Sequence, residues 1–237
     1  MKLSSPIYHL KRNAKRLARA HAIPLHDALD RVAADEGYAG WSLLAAKYAA
    51  LSPAAKLYGR LEAGDLVLVG ARPGQGKTLM ALELAVEAVK SGNRSVFFSL
   101  EYTEKEALSR LQAIDFEPEE FGNKLALECS DAICAAFIIE RLQDAARGTL
   151  IVIDYLQLLD QRREHPPLAE QVRALKAFAE ARGLVIVFIS QIDRSYDPAG
   201  KPFPDLRDVR LPNPLDLTLF GKTCFLNNGE VHLEAAI

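Results

Sequence analysis

Leu66-Val-Leu-Val-Gly70, then Ala71-Arg-Pro-Gly-Gln-Gly-Lys-Thr78, then the run 79–90: this stretch decides the fold. Four consecutive apolar residues read as a strand buried on both faces, and 79–90 reads as a helix. Between them, glycines let the backbone curl, and the helix start points N–H groups with no intrahelical partner into the curl. Phosphate oxygens suit such a cradle. The segment follows the phosphate-loop pattern G-x-x-x-x-G-K-[ST] except that Ala71 stands at the first Gly position. The expected contacts run through Ala71, Arg72, Pro73, Gly74, Gln75, Gly76, Lys77 and Thr78. Lys77 would neutralise β- and γ-phosphate charge, and the Thr78 hydroxyl would ligate Mg²⁺. A Gly-rich turn that simply precedes a helix is the plain alternative, and the strand and helix flanks argue against it. ATP and Mg²⁺ are therefore the expected cofactors.

Working outward, short β-rich runs at 66–69, 95–99, 125–129, 150–153, 185–189 and 216–220 alternate with helical stretches at 78–90, 103–112, 132–146 and 169–182. Apolar strands separated by amphipathic helices predict an α/β fold, with a mainly parallel central sheet covered on both faces. In such sheets ligands bind at the C-terminal edge of the strands. The tail 231–237 reads as one more strand, hairpin-paired across Asn227-Asn228-Gly229.

Three strands deliver polar side chains to that edge. Leu150-Ile-Val-Ile-Asp154 ends in an acid that would sit beside the phosphate loop and hold Mg²⁺ through water. Ser95-Val-Phe-Phe-Ser-Leu-Glu101 places a carboxylate near the γ-phosphate, where it can orient and deprotonate the attacking water. By chemistry alone Glu101 is equally well a helix-start acid. Val185-Ile-Val-Phe-Ile-Ser190-Gln191 delivers Gln191 to the same edge, where it can hydrogen-bond a γ-phosphate, although a lone Gln after a strand is ordinarily only a loop residue. Expected catalytic residues are thus Glu101, Lys77 and Gln191, with Thr78 and Asp154 on the metal.

The first segment, 1–58, is different. It is rich in Ala, Leu, Lys and Arg, and reads as three helical elements, with breaks at Pro24, Gly37 and Ser52-Pro53. It carries nine Lys/Arg against four Asp/Glu, whereas the whole chain has 29 against 31. The expected organisation is a small basic helical segment at 1–58 and one α/β domain at 59–237. A quarter of the chain is charged and about half is apolar, which fits an ordinary soluble globular protein. The three cysteines form no CxxC pair or zinc-like cluster and read as reduced thiols. No apolar run approaches the roughly 20 residues needed to span a bilayer, and no secretory signal is visible. The expected location is the cytoplasm, away from membranes.

Taken together, these residues resemble the RecA-fold ATPase domain of DnaB-type replicative helicases. That family has an Ala-Arg-Pro-x-x-Gly-Lys-Thr loop, which 71–78 matches, including Ala71 and Arg72-Pro73. Phe97-Phe-Ser-Leu-Glu101 looks like the family's first-motif Glu, which implies that Glu101 is the catalytic base. Ile153-Asp-Tyr-Leu-Gln-Leu158 is similar to its Walker B stretch, Ile189-Ser-Gln-Ile-Asp-Arg194 resembles its Ser-Gln sensor, and Asp205-Leu-Arg207 resembles its fourth motif. The likeness covers roughly 59–237. It implies ATP hydrolysis, self-association into a ring or filament, and action on single-stranded DNA.

The departures are specific. The family's N-terminal helical domain is not recognisable in 1–58, and the interval from Glu101 to Asp154 is short for the family. Where the family carries Lys-x-Arg-x-Gly, whose Arg reaches a neighbouring subunit's ATP, this chain has Lys222-Thr-Cys224. Cys224 can supply no positive charge, and an arginine finger is worth ~10³-fold or more in rate. Either Lys222 substitutes in trans, hydrolysis is slow, or a partner supplies the Arg.

For nucleic acid, Arg162 and Arg163 lie in the loop after the Asp154 strand, and Lys11, Arg12, Lys15, Arg16 and Arg19 form a denser cluster. Either group is also readable as a solvated surface. Two functional readings stand: a DNA-dependent ATPase of helicase type, and a slow-turnover, nucleotide-controlled regulatory module that holds DNA or a partner. A metabolic kinase would need an acceptor site and a lid, and neither is recognisable.

Overall fold

Residues 3–5, 7–99, 101–114, 116, 122–160, 164–211, 213–228 and 230–235 are described by the computed structural model. They form two units, Met1–Arg60 and Leu61–Ile237.

In the first unit, α1 (Ile7–His21) sets Leu10 and Ala14 against Ala28 and Val32 of α2 (Leu25–Asp35), with Leu17, Ala18 and Trp41 at the margin. The chain reverses after α2 through Gly37, whose φ of +81° lies in the left-handed region. It then enters α3 (Trp41–Ala49), whose first N–H donates to the Asp30 carboxylate at 2.7 Å. The sequence reading of three helical elements is corrected here, because a fourth, α4 (Pro53–Tyr58), follows. Ser52-Pro53 reads as a stop but acts as a start. The Ser52 hydroxyl accepts from the Ala55 N–H at 3.1 Å, and Pro53 sits in the first turn, where a missing N–H costs nothing.

The second unit is built on β1 (Leu66–Ala71), buried along its whole length. Then follow α5 (Lys77–Lys90), β2 (Ser95–Ser99), α6 (Glu104–Gln112), β3 (Leu125–Glu128), α7 (Ala135–Arg141), β4 (Leu150–Asp154), α8 (Leu168–Arg182), β5 (Val185–Gln191), β6 (Lys222–Asn227) and β7 (Glu230–Ala235). The described strands form one sheet in the order β3-β2-β4-β5-β1-β6-β7. All neighbours pair in parallel except β6 and β7, which form the antiparallel hairpin anticipated for the tail. One face sets Leu66, Leu68, Ile151, Ile153, Ile186 and Phe188 against Val172, Leu175 and Ala179 of α8 and Ile138 of α7. By strand alternation Val67, Val69, Val152 and Val187 point the other way, where α5 packs across β1, β2 and β4. This is the mainly parallel, doubly covered sheet that the alternating pattern implies.

Two local expectations fail. The run 216–220 is not a strand: Leu217–Leu219 is a 3₁₀ turn. The Asp216 carboxylate accepts from the Thr218 N–H at 3.0 Å and the Thr218 hydroxyl at 2.6 Å, a local bond that outcompetes strand pairing. The sixth strand is instead Lys222–Asn227, which opens on a charge but buries five of its residues. The helix expected at 132–146 is shorter, Ala135–Arg141, because the Ser130 hydroxyl draws the Ala132 N–H into a turn at 3.2 Å. Among the described residues no helix is long and apolar enough to cross a membrane.

Candidate active site

Strand register brings the polar residues to one edge. Ala71 at the end of β1 is level with Gln191 of β5, Ile189 of β5 with Asp154 at the end of β4, and Asp154 with Ser99 at the end of β2. Because these strands run parallel, their C-terminal ends share one rim, and α5 begins there.

The loop from β1 to α5 curls through Gly74 (φ +80°) and Gly76 (φ +79°). A Cβ at either glycine would meet nothing within 4 Å, so backbone conformation, not space, demands glycine. Gly76 is the N-cap of α5 and offers no side-chain cap, which leaves the first-turn N–H groups for an anion. Ala71 and Thr78 are buried, Arg72, Gln75 and Lys77 half-buried, and Pro73, Gly74 and Gly76 exposed. The Gln75 side chain accepts from the Asn228 backbone N–H at 2.7 Å, tying the loop to the β6–β7 turn.

Beside the loop, Lys77 Nζ lies 3.7 Å from Glu101 Oε2 and 5.8 Å from the centre of the Tyr155 ring. The Glu101 backbone N–H donates to the Ser99 hydroxyl at 3.1 Å, which fixes the turn after β2. Asp154 is fully buried, and neither of its carboxylate oxygens accepts a hydrogen bond of good geometry. Burial raises its pKa from 3.8 to about 6; Lys77 and the nearby Thr78 hydroxyl oppose the rise, and Glu101 adds to it. A buried carboxylate without partners, next to a threonine hydroxyl and a phosphate-binding loop, fits a hard dication. No group of three or more His, Cys, Asp or Glu able to cage a metal occurs among the described residues. The donor set therefore suits Mg²⁺ carried in with a polyphosphate.

On the far side of Asp154, Gln191 is held by Arg210. The Arg210 N–H donates to the Gln191 carbonyl at 2.8 Å, and its guanidinium reaches the Gln191 side-chain oxygen at 3.4 Å. Gln157, after β4, donates to the Arg210 carbonyl at 2.7 Å and to the Ser190 hydroxyl at 3.4 Å. Sequence reasoning assigned no role to Gln157 or Arg210. Arg110 of α6 was missed too: it lies over the Tyr102 ring at 4.4 Å, near enough for its charge to lower the Asp154 pKa. Gln157 was visible as part of a motif, but nothing in the spacing marks either arginine.

Within the same unit, Lys222 and Cys224 lie away from this cluster. Lys222 Nζ is 2.5 Å from Asp65 Oδ2 and 3.9 Å from Glu62 Oε2, at the opposite end of the sheet from the rim. Cys224 is fully buried in β6, level with Val69 and Leu233. Asp205 caps a 3₁₀ turn, Leu206–Asp208, and Lys201 bridges Asp205 and Asp208 at 3.0 and 2.5 Å. The basic residues Lys11, Arg12, Lys15, Arg16 and Arg19 lie on α1, in the other unit. Arg162 and Arg163 lie outside the described residues. Cys129 and Cys134 are free thiols.

The fold and this rim define a nucleotide-binding P-loop domain of the RecA-like class. The chain belongs to the KaiC ATPase family, whose model, described as "ATPase: KaiC", matches residues 54–203. It is also similar to the replicative DNA helicase DnaB of Geobacillus stearothermophilus, with 27% identity over 179 residues, covering 62% of this chain and 39% of that protein. A probable plasmid replicative DNA helicase of Chlamydia trachomatis is 28% identical over 180 residues, covering 63% of this chain and 40% of that protein. The chain thus spans about two fifths of the length of these curated relatives. Among solved structures, the ATPase domain of G40P aligns with a TM-score of 0.58 at 20% identity, covering 79% of this chain and 81% of that one. A DnaB-like replicative helicase, described with its interactions with primase, gives a TM-score of 0.58 at 19% identity, covering 92% of this chain and 64% of that one. These two likenesses concern the fold.

Proposed function

We propose that the chain is a Mg²⁺-dependent ATP hydrolase of DnaB-like type that self-associates as a ring or filament and acts on single-stranded DNA. In this reading 59–237 is the ATPase domain and 1–58 a separate small basic helical segment. The observation that carries the reading is the rim itself: Lys77 and Glu101 lie 3.7 Å apart beside a buried Asp154 whose oxygens accept no hydrogen bond of good geometry.

The roles follow from position. Loop N–H groups of 71–78 and the start of α5 cradle the phosphates. Lys77 offsets charge on the β- and γ-phosphates, while Thr78 and Asp154 would hold Mg²⁺, which would supply positive charge against the charge developing on the transferred phosphoryl group. Glu101 orients the attacking water and takes its proton. Its carboxylate lies 3.7 Å from the Lys77 ammonium, which places the base beside the group that would meet the γ-phosphate. Gln191 reads the γ-phosphate, and Arg210 and Gln157 hold it in place. The likeness to DnaB helicases supports single-stranded DNA as the polymer.

A second reading, a slow nucleotide-controlled regulatory module, is favoured by one observation. Cys224 is buried and the Lys222 ammonium is already engaged by Asp65, so neither is poised to serve a neighbouring copy's ATP. The deciding experiment is steady-state ATP turnover with and without single-stranded DNA, with Glu101→Gln as the blank. Turnover stimulated tenfold or more and abolished in Glu101→Gln supports the motor. Low turnover unchanged by DNA, with ATP still bound, supports the regulatory module. Unaltered turnover in Glu101→Gln refutes the assigned base.

A further inference from the structure

The exposed face of α1 belongs to none of the chemistry above. On a helical wheel, Leu10, Ala14, Leu17 and Ala18 lie to one side and pack on α2. Lys11, Arg12, Lys15, Arg16 and Arg19 lie opposite, and all five are exposed. The helix, IYHLKRNAKRLARAH, contains no Asp or Glu. Among the described residues none of the five has a carboxylate within ion-pair distance.

A merely solvated helix face ordinarily mixes signs, with Glu–Lys pairs four residues apart. Here the four-residue pairs Lys11/Lys15, Lys15/Arg19 and Arg12/Arg16 are all like-charged and repel one another. A polyanion relieves that repulsion. The rest of the chain sharpens the contrast. Residues 1–58 carry nine Lys/Arg against four Asp/Glu, and 59–237 carry the remaining twenty against twenty-seven. A polyanion is therefore steered to the first unit and repelled by the average charge of the second.

We propose that this face of α1 docks on the phosphate backbone of duplex DNA, without base-sequence preference, as a nucleic-acid contact separate from the ATPase rim. Three features favour the duplex. The cations from Lys11 to Arg19 span about 12 Å on a rigid rod at 1.5 Å per residue, matching the regular phosphate rows of a duplex at roughly 3.4 Å per strand. A helix of this diameter fits the major groove. Beyond Tyr8 the helix carries no Phe, Tyr or Trp to stack on the splayed bases of a single strand. Beside the basic face, Asn13, Arg16, Leu17 and Ala20 line a shallow cavity of about 360 Å³, where Asn13 can bond a sugar or phosphate oxygen.

The test measures binding by the full chain to two unrelated 20-base-pair duplexes, a single strand of equal charge, and polyglutamate. It uses EDTA and no nucleotide, so it succeeds or fails independently of the ATPase reading. With five phosphate contacts at about 0.9 counterions each, log K should fall against log salt with a slope near −4.5, or roughly 500-fold from 50 to 200 mM. Both duplexes should bind alike. The triple variant Lys11→Glu/Lys15→Glu/Arg19→Glu should lose at least about thirtyfold in affinity and most of the slope, with its melting midpoint retained. The matched triple Lys90→Glu/Lys105→Glu/Lys124→Glu, on the second unit, should bind like the parent. Undiminished binding by the α1 variant overturns the proposal, as does an equal loss in the matched variant. A larger loss for the single strand than for the duplexes in the α1 variant, or an equal loss for polyglutamate, overturns the choice of a duplex. If the α1 triple fails to fold, Lys11→Gln/Lys15→Gln/Arg19→Gln replaces it, with a loss of about three units of slope expected and an unchanged slope refuting the docking.

Discussion

Replacing Asp154 by Asn tests the charge at the centre of the rim. The carboxyl is fully buried, its oxygens accept no well-formed hydrogen bond, and burial pushes its pKa from 3.8 to about 6. A rise of roughly two units corresponds to about 3 kcal/mol. The sign follows from proton counting. Between about pH 4 and 6 the native state keeps a proton that the unfolded chain has released, so stability falls as pH rises through that window. Above about pH 6 the full penalty is present. Asn is neutral and nearly isosteric, so it carries no such penalty. In EDTA without nucleotide at pH 8, Asp154→Asn should be more stable than the parent by about 2–3 kcal/mol, or roughly 5–10 °C in melting temperature for a chain of this length. Near pH 4 the two melts should coincide. With saturating ATP and Mg²⁺ the order should reverse, because only the parent couples metal binding to folding. The assay is thermal melting at pH 4, 6 and 8, with and without the ligands. An Asn variant no more stable than the parent at pH 8, or equally stabilised at pH 4, would refute the reasoning.

Other outcomes are equally direct. Gly70 has an ordinary φ, but a Cβ there would lie 2.9 Å from the Phe225 ring and 3.0 Å from Ile192, and Phe225 is fully buried. Gly70→Ala should therefore destabilise by about 1–3 kcal/mol through overpacking, and an unchanged urea midpoint would contradict that. Gln171, 2% exposed, accepts from the Ala135 N–H at 3.0 Å and donates to the Leu159 and Pro166 carbonyls at 2.5 and 2.8 Å. Gln171→Leu strands all three groups and should cost about 3 kcal/mol or more by chemical denaturation; a neutral result would mean that water replaces them. Cys224→Arg restores the family's residue by alignment, yet it buries a charge in the sheet level with Val69 and Leu233. It should unfold or aggregate the protein, losing more than about 4 kcal/mol, and a folded variant with faster turnover would show that the position does face a neighbour.

Much of this protein follows from local sequence. The buried strand, the Gly-Gln-Gly turn and the following helix form a loop with an uncapped helix start from their own dihedrals, an arrangement suited to an anion, so the conformation of 71–78 is legible without tertiary information. Alternating apolar runs and amphipathic helices likewise imply a covered parallel sheet, since crossover helices laid on both sides bury both faces of such strands. Errors arose where a short-range bond overrode a pattern. Ser52 capped a helix that Pro53 seemed to forbid, and Asp216 bent a strand-like run into a turn. What only the tertiary structure decided is distance and burial between residues far apart in the chain. Lys77 meets Glu101, Gln157 meets Arg210, and Lys222 meets Asp65 because parallel register aligns strand ends that the sequence separates. The raised pKa of Asp154 is of the same kind, because desolvation is a property of everything packed around a group and no spacing along one chain encodes it.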